Sequence, residues 1–167
     1  MKKLTFTFFI ILFALVIFFV PLFEQFTISN KKTDQVVFFG SIHDYKDFYI
    51  SFTHSVNRTP VNEYYKIENH GFVVYKTTFY SFGAGMPDGS DNPNAQIKFN
   101  DDGLVEIDNI NKEFKEFTYM VGTFAEHTLH TENESFKLEK YVEPQEPALF
   151  KIRRVSIYHI LRRIFNE

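Results

Sequence analysis

Residues 48–67 read FYISFTHSVNRTPVNEYYKI, and the fold is decided by how this stretch is parsed. From 48 to 56 the even positions are Phe48, Ile50, Phe52, His54 and Val56, an alternation that puts all five on the apolar face of a strand. Asn57-Arg58-Thr59-Pro60 is rich in turn formers, and apolar alternation resumes at Val61. With residues 57–60 as a four-residue hairpin loop, Val56 faces Val61, His54 faces Glu63, Phe52 faces Tyr65 and Ile50 faces Ile67. His54 and Glu63 then lie directly across from one another with Cβ atoms about 5 Å apart. In an apolar interior such a pair must be hydrogen-bonded or open into a pocket. It is either a structural pair that fixes register or the floor of a ligand site.

Outward from this hairpin, short apolar or alternating runs recur at 36–39, 72–82, 97–99, 104–107, 117–121, 127–130, 135–138 and 148–155, the spacing of an all-β antiparallel sandwich or small barrel. Twenty-two Phe and nine Tyr, with no Trp, agree with strands. Asp102-Gly103 between Phe99 and Leu104 predicts a tight hairpin. Residues 82–93, with three Gly and two Pro, predict an irregular loop.

The motifs THSVNRTPVNEYYKI at 53–67 and SFGAGMP at 81–87, with a weaker match in VGTFAEHTL at 121–129, resemble the bacterial family known as domain of unknown function 1850. The family-like positions are His54, Ser55, Pro60, Glu63, Tyr64, Phe82, Gly83, Ala84, Gly85, Pro87 and His127; Val61 stands where many relatives carry Trp. The resemblance implies a small protein, often with a hydrophobic N-terminal segment, encoded near TAXI-type TRAP importers of organic anions. It implies no activity. A TRAP permease or solute-binding protein is accordingly an expected partner, and a small organic anion an expected ligand.

The candidate ligand-binding residues are His54, Arg58, Glu63, Tyr64, Gly83 and Gly85. Arg58 offers a planar cation for a carboxylate, and Gly83-Ala84-Gly85 can turn backbone N–H groups towards an anion, although such glycines also serve simply to let the chain leave a strand. His127 and His130 beside Glu126 invite a zinc reading, but strand residues three apart face opposite sides. Ser55 next to His54 fails as a nucleophile and base for the same reason. With no nucleophile elbow and no cofactor motif, we expect a non-enzymatic protein without a cofactor. Absence of cysteine excludes a disulfide scaffold, a thiolate metal site and a lipidated N-terminal Cys.

The two ends differ from the body. Lys2 and Lys3 precede an uncharged run over residues 4–23, about the length of one bilayer crossing, without the small residues of a signal cleavage site. The expected organisation is an uncleaved single-pass membrane anchor at 1–28, a linker at 29–35, an extracytoplasmic β-domain at 36–155 and a basic amphipathic tail at 156–167. In that tail Ile157, Ile160, Leu161 and Ile164 recur at helical spacing among arginines. It can cover the end of the sheet, lie on anionic lipid or dock on a membrane partner. Residues 24–150 hold eleven cations against twenty acids, so no broad cationic face exists for nucleic acid.

Overall fold

The computed structural model describes residues 2–82 and 92–165. Helix α1 runs Lys2–Phe19, and among the described residues eleven strands follow: β1 Phe23–Asn30, β2 Val36–Ser41, β3 Asp47–Thr53, β4 Pro60–Glu68, β5 Gly71–Phe79, β6 Gln96–Phe99, β7 Val105–Phe114, β8 Glu116–Met120, β9 Thr128–His130, β10 Ser135–Lys137 and β11 Pro147–Val155. A 3₁₀ turn at Leu138–Lys140 lies between β10 and β11, and helix α2 follows at Ile157–Ile164. The strands form two antiparallel sheets, one in the order β2-β1-β11-β8 and one in the order β10-β9-β3-β4-β5-β7-β6. The mostly β architecture expected from alternation is therefore present, as two sheets. The irregular loop expected at 82–93 falls for the most part outside the described residues.

Residues Phe26–Ile152 make one compact unit, and Met1–Gln25 with Arg153–Glu167 make another. The core of the larger unit lies between the inner sheet faces. Phe26 and Ile28 of β1 and Phe150 of β11 meet Phe48 and Ile50 of β3, Tyr65 of β4 and Phe72 of β5. Rings dominate it: Phe48 stacks on Tyr65 at 5.3 Å, Tyr65 on Phe117 at 4.6 Å, and Phe117 on Phe150 at 4.6 Å. Offset and edge packing of this kind contributes beyond the area buried.

Strand β1 corrects the expected boundary between anchor and linker. Residues 26–30 are buried, with Phe26 and Ile28 fully so, and Asn30 N–H donates to Gln35 O at 2.9 Å to start the turn into β2. Continuous hydrophobicity concealed this strand, because FEQFTIS follows the apolar run with no turn residue after Pro21 to separate them. The same exit divides residues 4–23: α1 ends at Phe19 and strand begins at Phe23. Among the described residues no helix is long and apolar enough to cross a membrane.

The hairpin at Asp102-Gly103 forms as expected. Phe99 pairs with Val105, Gly103 takes φ 83°, and Asn100 N–H donates to Leu104 O at 2.9 Å. In the smaller unit, the basic amphipathic tail forms α2, entered through Ser156, whose hydroxyl meets His159 Nδ1 at 2.8 Å.

Candidate functional site

The predicted register of the first hairpin is wrong by four residues. Thr53 pairs with Pro60, Phe52 with Val61, Ile50 with Glu63 and Phe48 with Tyr65, so six residues, 54–59, form the loop. His54 causes the shift by leaving the ladder to organise the turn. Its N–H donates to Thr59 O at 2.9 Å, and its carbonyl accepts from Arg58 N–H at 3.0 Å. The ring Nδ1 accepts from Asn57 N–H at 3.1 Å and Val56 N–H at 3.3 Å. Arg58 takes a left-handed conformation, with a φ of 56°. Pro60 becomes the first strand residue, where its missing N–H costs no ladder bond. A shift of four keeps parity, so Glu63 still faces inward as expected, but its cross-strand neighbour is Ile50.

The partners of Glu63 are phenols. Tyr65 O–H donates to Glu63 Oε2 at 3.0 Å, Tyr119 O–H donates to the same oxygen, and the two hydroxyls lie 2.9 Å apart. Since Tyr119 is on β8 and Glu63 on β4, this triangle ties the two sheets together. Burial holds the Glu63 carboxyl above the ordinary range against the opposing effect of the Tyr65 hydrogen bond. Burial and the adjacent Glu63 raise Tyr65 well above the usual phenol value.

His127 borders this cluster, its ring stacked on Phe52 at 5.2 Å and 5.3 Å from the ring of Tyr119. Gly122 N–H donates weakly to its Nδ1 at 3.4 Å, and burial pushes its pKa down to about 4, so the ring is neutral at pH 7. His130 lies on the opposite face of the sheet, stacked on Tyr49 at 4.3 Å with its Nε2 2.8 Å from Ser51 Oγ. The two histidines thus point apart, His130 from β9 and His127 from the connection just before it.

Arg58 and Tyr64 fall outside the Glu63 cluster. Arg58 belongs to the 54–59 loop, with its guanidinium 5.8 Å from the centre of the Phe124 ring. Tyr64 projects from the other sheet face, stacked on Tyr49 at 5.1 Å with Lys76 Nζ 4.3 Å from its ring centre. Gly83 and Gly85 lie outside the described residues. What the structure does bring together is parts of the three motif segments. Asn57 Nδ2 donates to Ser81 O at 3.3 Å and Phe82 O at 3.5 Å, tying the 54–59 loop to the first residues of the second motif. Thr53 N–H donates to Ala125 O at 2.8 Å and, with Arg58 over Phe124, ties the same loop to the 121–127 connection.

Sequence reasoning missed Tyr65 and Tyr119. Tyr65 shares the inward face two residues after Glu63, a detectable signal, whereas Tyr119 arrives from the other sheet, 56 positions away. No curated protein and no solved structure matches the chain. The family model for the domain of unknown function DUF1850 matches residues 48–138, more than half of the chain, and the protein belongs to that family.

Proposed function

We propose that the β-domain is a non-enzymatic binding module, held at the outer face of a membrane by its apolar N-terminal segment, that serves TRAP-type solute uptake by docking on a transporter component. The observation that carries the docking reading is the meeting of the 54–59 loop with Ser81 and Phe82 of the second motif and with the 121–127 connection. There Val56 is 74% exposed and Phe124 is 77% exposed, with the cation of Arg58 beside the latter. Large apolar side chains held outward by hydrogen-bonded loops, next to an arginine, have the composition of a protein-binding hot spot. The transport assignment rests on the family resemblance, which associates such chains with TAXI-type importers. The tether rests on α1, whose described side chains are apolar or Thr and mostly exposed on every face.

A photo-crosslinking residue introduced at Val56 or Phe124 tests the docking reading in membranes of the source cell. The expected adduct contains a TRAP permease or solute-binding protein; adducts at neither position, or only with unrelated proteins, refute it.

Arg58 favours a second reading, in which the same end takes a small organic anion. Its guanidinium belongs to a loop tied to residues 81 and 82, and an arginine recognises a carboxylate with paired donors. Calorimetry of the full chain in detergent against dicarboxylates separates the readings, because heat of binding lost in Arg58→Ala supports the anion. An envelope interaction domain without a ligand is left if both assays are negative.

A further inference from the structure

We propose that α2 and the C-terminal end of α1 form an interfacial collar that binds the headgroups of an anionic phospholipid surface. This rests on the membrane reading above and names the lipid class that the same segment recognises. Tyr158 of α2 packs its ring against Phe18 at 6.1 Å and Phe19 at 5.4 Å, fixing α2 beside the last turn of α1. Next to that contact the end of α1 and its exit offer lipid-like surface: Leu15, Val16, Phe19, Val20 and Pro21 line a shallow, open apolar depression.

Tyrosine prefers the level of the headgroups, with its ring in the apolar layer and its hydroxyl in water. Arg162 follows Tyr158 by four residues, so it lies on the same face of α2 and is exposed there. Leu161 and Phe165 are exposed as well. A short basic helix that leaves apolar side chains uncovered is built for the boundary between acyl chains and phosphates. Charge is segregated to match. Lys2 and Lys3 lie at the far end of α1; at the α2 end, residues 20–25 and 153–167 have four cations against two acids, whereas Phe26–Ile152 has twelve against nineteen. The positive charge thus accompanies the apolar helix, and the acidic unit is the one a phosphate surface repels.

Because the chain has no tryptophan, Tyr158→Trp gives a single fluorophore at the proposed collar. The full chain carrying it is reconstituted into vesicles of phosphatidylcholine, alone or with phosphatidylglycerol. Co-flotation with phosphatidylcholine vesicles after alkaline washing tests the tether by itself. Lipids brominated near the headgroup are expected to quench the introduced indole more than lipids brominated at the chain end. Spin-labelled phosphatidylglycerol is expected to associate about 5-fold more strongly than spin-labelled phosphatidylcholine, the selectivity that one cation at the surface confers. Arg162→Gln is expected to remove that preference and Arg162→Lys to keep it. Chains that float but hold the two spin labels equally, or keep the preference in Arg162→Gln, overturn the collar and leave the tether standing. Indole emission characteristic of water overturns it too, and chains that fail to float overturn both. A protein occupant of this face would leave the purified, reconstituted chain without lipid selectivity, which is the overturning result.

Discussion

Removing the phenol hydroxyl of Tyr119 is expected to destabilise the β-unit out of proportion to the single oxygen lost. In Tyr119→Phe the carboxyl of half-buried Glu63 keeps Tyr65 as its phenol donor and loses the other. A hydrogen bond to such a group contributes about 1.5–3 kcal/mol, and its loss also leaves acceptor capacity unmet in a low-dielectric interior. Glu63→Leu should cost less, about 1 kcal/mol, because Tyr65 and Tyr119 can still bond each other across 2.9 Å while an expensive buried carboxyl disappears. The double variant should fall short of the sum by about 1–2 kcal/mol, the coupling of two groups in one network. Glu63 with His54 provides the contrast, because Glu63 is opposite Ile50 rather than His54. Three strand steps of about 3.3 Å each carry the chain from Ile50 to the end of β3 at Thr53, and His54 follows in the loop, on the order of 10 Å or more from Glu63. Substitutions that far apart should be additive within about 0.5 kcal/mol. Guanidinium titration of the full chain in detergent, followed by near-ultraviolet circular dichroism of the tyrosines, measures both cycles. Additivity between Glu63 and Tyr119, or coupling to His54 of the same size, would refute the cross-sheet triangle and restore the shorter loop.

Three further outcomes are expected. Folded His127 resists protonation until about pH 4 whereas the unfolded ring takes a proton near 6.5, so stability should fall as pH drops through that window. Allowing for solvent screening the loss is about 2 kcal/mol, and pH-dependent melting of His127→Gln should lack it. Glu63 has the opposite sign: its raised value means that unfolded chains ionise first as pH climbs above the ordinary carboxylate range, so stability declines there in the parent, and thermal melts of Glu63→Gln should show a flatter profile. Phe26→Ala should cost about 3–5 kcal/mol in the same denaturation assay, since its ring is fully buried against Tyr45 at 4.7 Å; a negligible change would return residue 26 to a peripheral segment.

Local chemistry made much of this protein legible in its sequence. Alternation placed ten of the strands near their observed positions, Asp102-Gly103 announced its hairpin, and helical spacing announced α2, because these signals depend on neighbours in the chain. The inward direction of Glu63 was legible too, since strand parity survives any register change by an even number. Three things depended on the folded chain. The register of β3 against β4 turned on the ring of His54 accepting backbone hydrogen bonds, which drew residues 54–56 out of the expected ladder and into the loop. Strand β1 exists because its Phe26 and Ile28 are taken up between sheets completed by β11, which comes more than a hundred residues later; in isolation they prolong an apolar run. The partner of Glu63 was decided by which β8 side chain crosses the interior, and only sheet packing could select Tyr119. The order of residues along a strand dictates which face each one occupies, while the assembled sheets dictate what it meets there, because period and turn chemistry are local and cross-sheet contacts are not.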